Sequence, residues 1–357
     1  PDGLKTGGCR MKNNAWARGG LKVWKCEPGF DFNGATGFCE QGEPDVCDAR
    51  TKTSAPVDIA TGNKSIEEVD FFSVGDSLLE FKRSWQSQLR RWQFSYQQRL
   101  VVNNTGQRRY VQIQRPSGWL VTFAENDGHW YPEARVSDTL KVEGDNWRYT
   151  KASGDREWFD STGRLFRIQK VTGEGLVISY PSANTMVVTD DHGQYLRFSL
   201  DGSGRIVSMT DLDLHVYEYL YNGDGHLETV VYPAYMSHAK TIRSYHYEDP
   251  RNPDLVTRIT DENGDVHKTV VYDEQGRALL SGIGDGTIGQ SEFDYTHADD
   301  AADPRVRVTN SLNRQSTYHL ENHFGLTKVR TVRGAEQPGI GCLADTQSRE
   351  YLSLIHI

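Results

Sequence analysis

Residues 319–323 (HLENH) combine residue types that bind zinc. A zinc-binding helix needs the order His-Glu-x-x-His, and a zinc deaminase pairs His-x-Glu with Pro-Cys-x-x-Cys. Neither pattern occurs in the sequence. Residues 261–265 (DENGD) begin like a calcium loop, but Tyr272 stands at the twelfth position, where that loop needs a bidentate Glu. We expect strand residues at the first segment, a turn at the second, and no metal at either.

A serine hydrolase is a second possibility raised by short motifs. Residues 75–78 (GDSL) have the order of the nucleophile block of GDSL esterases, with Ser77 as the nucleophile, and residues 294–297 (DYTH) have the order of their Asp-x-x-His block. A serine nucleophile also needs oxyanion donors, and the chain has no Gly-x-Asn-Asp segment to supply them. Alternating strands and helices are also missing. A GDSL-type serine esterase therefore stays a remote alternative.

Ligands that carry phosphate are disfavoured as well. Residues 284–289 (GDGTIG) have the spacing of a dinucleotide fingerprint, but residues 290–295 (QSEFDY) read as a strand and provide no helix N-terminus for a phosphate. The formal net charge of -9 argues against a nucleic-acid partner, which would need a basic surface. We expect a turn at 284–289, no cofactor and no nucleic acid.

Four of the five cysteines lie within the first 47 residues: Cys9, Cys26, Cys39 and Cys47. This segment lacks His and any Cys-x-x-Cys pair, so two disulfides are a better interpretation than zinc. A redox-active pair would need closer spacing. Three connectivities are open, and we favour Cys26 with Cys39. Residues 1–52 are thus predicted to form a small disulfide-rich module with a linker, in an oxidising compartment outside the cytoplasm.

The rest of the chain has the composition of an all-β fold. It contains 34 Gly and 38 aromatic residues (8 Trp, 17 Tyr and 13 Phe), and no apolar run is long enough for a transmembrane helix. Between 80 and 158, large and polar residues alternate with period two, and Gly-containing turn signals separate the runs. All eight tryptophans lie at or before Trp158. We predict a β-hairpin domain over 53–157 and a domain boundary after it.

An aromatic residue followed by Asp/Asn-x-x-Gly recurs in the second half of the chain. The residues that define the repeat are Phe159, Asp160 and Gly163; Asp201 and Gly204; Tyr221, Asn222 and Gly225; and Tyr272, Asp273 and Gly276. The Asp or Asn residues that open turns lie about 11 residues apart, as at Asp190, Asp201, Asp211 and Asn222, which leaves room for one strand and one tight turn. This spacing predicts a long antiparallel β-meander over 158–335, with turns at Asp201, Asn222, Asp261, Asp273 and Asn322. We expect 233–253 to interrupt it as a surface excursion and 336–357 to be a tail. The last residues of the tail, 351–357, resemble a translated sequencing adapter and not a native segment.

The repeat resembles the YD repeat of bacterial Rhs proteins. Residues 56–64 (PVDIATGNK), with 79–85 (LEFKRSW), are similar to the opening of the Rhs N-terminal domain, although Trp85 stands where Tyr is more usual. The resemblance covers about 56–335. It implies a sheet that coils into part of a hollow shell, which in complete members encloses a C-terminal toxin. The self-cleavage segment and toxin of such proteins are not found in this sequence.

The sequence therefore predicts a structural protein and not an enzyme. We expect a secreted or cell-surface, non-catalytic shell segment whose partners are the remainder of the shell and its toxin cargo, with no membrane span. The alternative is a carbohydrate-binding surface adhesin of the YD-repeat type, in which aromatic rings would stack on sugars. Their regular placement on strand faces favours the core for these rings instead.

Overall fold

A computed structural model describes residues 30–33, 38–41, 56–73, 75, 77–105, 108–116, 120–132, 137–234, 239–323, 326–334 and 347–348. Within them every regular element is a β-strand, as the composition predicts, and no helix there is long and apolar enough to cross a membrane. Strands β1 (Phe30–Asn33) and β2 (Phe38–Gln41) pair antiparallel. Cys9, Cys26 and Cys47 lie outside the described residues, as does the Cys39 side chain, so the disulfides stay a prediction.

A three-stranded antiparallel sheet, called here the small sheet, consists of β3 (Ser65–Phe72), β4 (Glu80–Gln86) and β5 (Arg91–Phe94). Its residues alternate between buried and exposed along β3 and β4, because successive side chains of a strand point to opposite faces. The buried face carries Ile66, Phe81 and Trp85. One apolar face of this sheet must therefore be covered by the rest of the chain.

The remaining strands form one antiparallel sheet, called here the meander, in which each strand pairs with its neighbours in the chain. The strands are β6 (Arg99–Thr105), β7 (Arg108–Gln114), β8 (Leu120–Asn126), β9 (His129–Pro132), β10 (Thr139–Glu143), β11 (Asn146–Thr150), β12 (Arg156–Phe159), β13 (Leu165–Gln169), β14 (Gly175–Ser182), β15 (Thr185–Asp190), β16 (Tyr195–Leu200), β17 (Ile206–Thr210), β18 (Val216–Tyr221), β19 (Leu227–Tyr232), β20 (Thr241–His246), β21 (Arg258–Thr260), β22 (Val266–Tyr272), β23 (Ala278–Ile283), β24 (Ile288–Asp294), β25 (Arg305–Asn310), β26 (Gln315–His323), β27 (Leu326–Gly334) and β28 (Gln347–Ser348). The long antiparallel β-meander predicted from the repeat spacing is confirmed.

The meander curls back on itself at its beginning. Leu100 in β6 donates its amide hydrogen to the carbonyl oxygen of Gly163 in the β12–β13 turn, at 2.9 Å. Arg99 and Arg164 form an antiparallel bridge at the same place. Because β6 and this turn lie at opposite ends of a series of paired strands, the sheet between them must curve until its ends meet. The buried side chains of the meander and of the small sheet belong to one apolar core.

The repeat motif forms the turns between strands. In the turns at Asp160, Asp201, Asn222 and Asp273, one side-chain oxygen accepts the amide hydrogens of the residues two and four positions later. The glycine three positions after each has a positive φ between 78° and 85°, a conformation that Gly adopts without a steric penalty. Asp261 forms the same kind of turn. Backbone requirements thus account for the Asp/Asn and Gly of the repeat.

The repeat tyrosines join one repeat to the next. Tyr221 donates its hydroxyl hydrogen to the Ile206 carbonyl oxygen at 2.8 Å, and the Arg205 guanidinium lies 4.5 Å from its ring centroid. Tyr272 likewise donates to the Val256 carbonyl oxygen at 2.9 Å. Since these bonds cross between turns on the same edge of the sheet, each motif fixes the register of its neighbour.

Consecutive hairpin turns fall on opposite edges of an antiparallel sheet. The β12–β13, β16–β17, β18–β19 and β22–β23 turns, which contain the four motifs above, therefore share one edge, called here the repeat rim. The β20–β21 loop lies on the same rim. The predicted boundary between 157 and 158 falls within β12, and the sheet continues through it.

Two predicted details of the meander are wrong. Asn322 does not open a turn: it lies in β26 and pairs with Thr327, and because His323 pairs with Leu326 only two residues connect the strands. The excursion over 233–253 is interrupted by β20, which pairs with both β19 and β21. Its prolines lie outside the strand, so the backbone of β20 is free to pair on both sides. The buried Tyr245 attaches this strand to the core.

A comparison of two glycines with the same backbone conformation tests the contact between β6 and the β12–β13 turn. Gly163 and Gly204 both have φ of 79°, but a Cβ on Gly163 would lie 1.9 Å from the Leu100 carbonyl oxygen, whereas a Cβ on Gly204 meets nothing within 4 Å. Gly204→Ala should cost about 1–2 kcal/mol of unfolding free energy, from the left-handed backbone alone. Gly163→Ala should cost at least about 1 kcal/mol more, because the β6 contact is also lost. Equal losses in urea denaturation would contradict the closure at Gly163.

Candidate functional site

A buried ion pair lies where the small sheet meets the meander. Arg83 on β4 is 0% exposed, and its Nε and Nη2 donate to the two carboxylate oxygens of Asp70 on β3 at 2.6 and 2.8 Å. The planar guanidinium matches both carboxylate oxygens at once, which is the strongest geometry for such a pair. Both charges have been taken out of water, so the pair is stable only if its other hydrogen-bonding positions are also satisfied.

Three tyrosines of the meander satisfy them. Tyr219 and Tyr232 donate to the Asp70 carboxylate at 2.9 and 3.0 Å, and the Tyr245 hydroxyl accepts from Arg83 Nη1 at 2.8 Å. Because these tyrosines come from β18, β19 and β20, three neighbouring strands bond to one ion pair of the small sheet. This buried cluster is a polar connection between the two sheets.

The surroundings of the cluster are aromatic and dry. The Trp92 ring centroid lies 5.1 Å from the Arg83 guanidinium carbon, and that of Tyr245 lies 5.4 Å from it. Burial alone would lower the pKa of Arg83, but the Asp70 carboxylate outweighs burial and the net shift is upward. Burial, followed by the charge of Asp70, raises the pKa of Tyr219 well above its usual value. Arg83 therefore stays charged and Tyr219 neutral at ordinary pH.

A second charged group extends the contact along β3. Glu68 bonds to Arg243 on β20, and Arg243 also donates to Glu262 at 3.0 Å. Burial would lower the pKa of Arg243, yet Glu68 and Glu262 raise it. Asp70 and Glu68 stand two residues apart and so face the same side of β3. The small sheet thus presents a row of acidic groups to arginine and tyrosine partners.

Lys64 is a buried cation just before β3. It is 2% exposed, and its backbone exchanges hydrogen bonds with Ser87. Burial lowers the pKa of its ammonium to about 7, and the charge of Lys268 on β22 adds to the effect. The small sheet therefore contains one cation that is held near its neutral form at physiological pH.

The small sheet and its flanking loops also bond to the repeat rim. These contacts include Ala278 N to Gly62 O at 3.0 Å, Arg90 Nη2 to Asn252 Oδ1 at 3.2 Å, Trp92 Nε1 to Tyr247 Oη at 3.1 Å and Gln97 Nε2 to Gly204 O at 3.2 Å. The bond from Leu100 N of β6 to Gly163 O, at 2.9 Å, continues the series. These contacts follow the rim from the β22–β23 turn to the β12–β13 turn. The small sheet therefore covers the buried face of the meander and closes the adjacent rim.

The residues of the esterase motif lie in different parts of the fold. Ser77 lies between β3 and β4 of the small sheet, and its Oγ accepts the Leu79 amide hydrogen at 3.3 Å. Asp294 ends β24 of the meander, where its partners are Thr296 and Arg307. In the described part of the chain no contact joins Ser77 to Asp294 or His297.

The residues of the two metal-like motifs occupy strand and turn positions. His319 lies within β26 and its Nδ1 is 2.7 Å from Asp303 Oδ1. Asp261 uses its carboxylate oxygen in the turn described above. Among the residues that the structure describes, no three metal-binding side chains come together. Residues 284–287 form a turn followed by β24, so a strand and not a helix follows the glycine-rich segment.

The sequence analysis missed the buried cluster. Arg83 alternates with Phe81 and Trp85, and Asp70 stands in phase with Ile66, so each charge shares its face with buried apolar residues. A charged residue in phase with an apolar face indicates a buried pair. That signal was present in residues 79–85, where the alternation predicted a strand but the burial of Arg83 was not predicted from it.

A family model matches residues 54–123, which contain the small sheet and both segments similar to the Rhs opening. That family is DUF6531, described as a domain of unknown function. No curated protein matches the sequence.

Several solved structures share part of the fold. The crystal structure of TcdB2-TccC3-TEV is 10% identical over 76% of this chain and 18% of its own, with a TM-score of 0.34. The Photorhabdus luminescens Tc holotoxin pore is 10% identical over 78% of this chain and 21% of its own, with a TM-score of 0.21. A porin-like protein from Bacteroides uniformis is 12% identical over 66% of this chain and 93% of its own, with a TM-score of 0.26.

This chain therefore spans about a fifth of the length of the two toxin-complex chains. With identities near one residue in ten and TM-scores no higher than 0.34, these likenesses indicate no function for it.

Removing one partner of the buried pair should separate the two sheets. Arg83→Met leaves the Asp70 carboxylate buried without its cation, and we expect a loss of about 3–5 kcal/mol of unfolding free energy. The double variant Arg83→Met, Asp70→Leu removes both charges and should recover most of that loss. Chemical denaturation monitored by tryptophan fluorescence gives both values.

The matched control is Arg109→Met. Arg109 on β7 pairs with Glu125 but is half exposed, so its loss should cost less than about 1 kcal/mol. If Arg83→Met and Arg109→Met reduced the unfolding free energy by comparable amounts, the role given to the buried pair would be refuted.

Lys64 should make stability rise with pH above neutrality. Its pKa is about 7 in the folded chain and near 10.5 when unfolded, so between these values the unfolded chain binds the extra proton. Stability then increases with pH in this window, by up to about 2 kcal/mol from pH 7 to 9. Lys64→Met should abolish that increase. Urea denaturation at the two pH values tests this, and parallel slopes in both proteins would show that Lys64 is not the source.

Proposed function

We propose that this chain is a non-catalytic segment of an Rhs/YD-type shell, which encloses and delivers a C-terminal toxin that this sequence does not contain. The observation that carries the proposal is the closure of the meander. One face of the sheet is buried, its first strand returns to the β12–β13 turn, and the small sheet covers the adjoining rim. A curled sheet closed along one edge has the geometry of a container wall.

The repeat supplies a means of lengthening such a wall. Each motif adds a strand pair, and two of the copies bond to an earlier part of the sheet through a tyrosine hydroxyl, as Tyr221 does with Ile206 and Tyr272 with Val256. Repeats that contact only their neighbours can be added without redesign of the core, which is the property of repeat proteins in general. We place the chain near the start of a longer shell, secreted or on the cell surface.

The non-catalytic role is supported by how the polar repeat residues are used. In the turn at Asp201, one carboxylate oxygen accepts two backbone amides and the other pairs with Arg205 at 2.7 Å. Asp273 and Arg277 repeat the arrangement. Carboxylates engaged in this way are structural, because their lone pairs and charge are already committed to the turn.

The core position of the large rings favours the shell over the adhesin. Trp85 and Trp147 are 1% and 8% exposed. Sugar recognition by stacking needs a ring face open to solvent, and these rings face the protein interior instead. The carbohydrate-binding alternative would have to use other groups.

Protection of the downstream polypeptide tests enclosure. The chain should be produced together with the polypeptide encoded directly after it and treated with protease under native conditions. We expect that polypeptide to be cut far more slowly than after mild denaturation, because the wall excludes the protease. Arg83→Met, which loosens the small sheet, should accelerate the cleavage, whereas Arg109→Met should not. Rapid native cleavage of the downstream polypeptide in the unmodified protein would overturn the proposal.

A further inference from the structure

A cleft opens between the small sheet and the repeat rim, and Trp92 separates it from the buried ion pair. It has a volume of about 200 Å³ and lies between β5 and the β16–β17 and β18–β19 turns. Its walls include Arg91, Trp92 and Phe94 from the small sheet, and Arg205 and His226 from the rim. Two separate elements therefore contribute basic and aromatic side chains to one cavity.

The charge of the cleft is one-sided. Four basic residues line it and no carboxylate does. Arg205 is paired with Asp201, and Arg90 lies 3.6 Å from Asp254. Arg91, by contrast, is exposed at the mouth of the cleft, and its side chain has no hydrogen-bond or ion-pair partner among the described residues. The cleft thus retains one uncompensated guanidinium, which favours a ligand with a single negative charge.

His226 adds an unsatisfied nitrogen. Its Nδ1 is buried and has no partner among the residues that the structure describes. The imidazole is held against the Tyr247 ring, with centroids 4.9 Å apart, and its Nε2 lies 3.7 Å from Asp254. A buried polar nitrogen without a partner costs free energy, which a ligand oxygen could recover. With a proton on Nδ1, this nitrogen is a donor to such an oxygen.

The remaining wall is apolar. Trp92 and Phe94 contribute to it, and only 9% and 5% of these residues remain exposed. A small hydrocarbon ring can pack against this limited accessible surface while its charged group reaches the basic residues. The volume is smaller than that of sites for drug-sized ligands, so it accommodates one ring and one small charged group.

We propose that this cleft binds a small aromatic carboxylate, whose carboxylate meets Arg91 and His226 while its ring lies against Trp92 and Phe94. The site is independent of enclosure by the meander and gives the small sheet a ligand-binding role. A ligand there would contact both the small sheet and the repeat rim. Because the ligand would bind only where the small sheet and the rim are in contact, it would stabilise their association.

Benzoate is the probe, and isothermal titration calorimetry on the intact chain is the measurement. We expect a dissociation constant of about 1 mM or tighter. Benzyl alcohol, which has the same ring and a similar size but no charge, should bind at least about tenfold more weakly, because it forgoes the charge-assisted hydrogen bonds. No detectable benzoate heat at about ten times that concentration, or equal binding of both compounds, would overturn the proposal.

Substitutions in the cleft locate the site. Arg91→Gln and His226→Asn should each raise the dissociation constant for benzoate by at least about tenfold, because each removes one carboxylate contact. Arg109→Gln, a basic residue of the meander outside the cleft, should leave it unchanged. Unaltered thermal unfolding midpoints will establish that the variants are folded. Undiminished binding in both cleft variants, or an equal loss in Arg109→Gln, would refute the assignment.

Discussion

The structure depends on one buried ion pair. Arg83 and Asp70 lie in the small sheet, yet the hydroxyl groups that complete their hydrogen bonding come from three strands of the meander. Neither the pair without the tyrosines nor the tyrosines without the pair would be satisfied in an apolar interior. This mutual requirement fixes the small sheet at one place on the meander. Apolar packing around Phe81 and Trp85 adds stability but is less specific about position.

The position of the small sheet in turn fixes the curvature of the meander. Backbone and side-chain contacts from the small sheet and its flanking loops follow the repeat rim, and the bond from Leu100 of β6 to Gly163 continues them. A sheet with one buried face is free to vary in curvature until its ends are joined. The contacts at the rim remove that freedom, and Gly163 permits the closest of them because a side chain there would occupy the same space as the Leu100 carbonyl group.

Much of the meander could be predicted because its signals are local. An Asp that caps its own turn and a Gly with positive φ act within five residues, so the turns at Asp201 and Asp273 follow from the motif alone. Asn322 has the same Asn-x-x-Gly spacing but lies within a strand, because pairing with β27 decides where that hairpin turns. β20 was likewise obscured by the prolines on either side of it.

The site could not be predicted because its partners are remote in sequence. Arg83 and Tyr245 are 162 residues apart, and nothing in either strand identifies the other. The alternation of Arg83 with Phe81 and Trp85 predicts only that a buried partner must exist. The contact between the small sheet and the repeat rim has the same origin, since it arises from the curvature of the whole sheet. The family resemblance anticipated a coiled sheet but not which residues join its parts.

Native-state hydrogen exchange tests most directly whether the small sheet and the meander form one cooperative structure. Amides of β3 to β5 and of β18 to β22 should exchange with the same opening free energy, because separation of the sheets would leave Arg83 and Asp70 without their partners. In Arg83→Met the small-sheet amides should become the less protected set. Opening of the small sheet in the unmodified chain at a free energy more than about 2 kcal/mol below that of β18 to β22 would contradict the account.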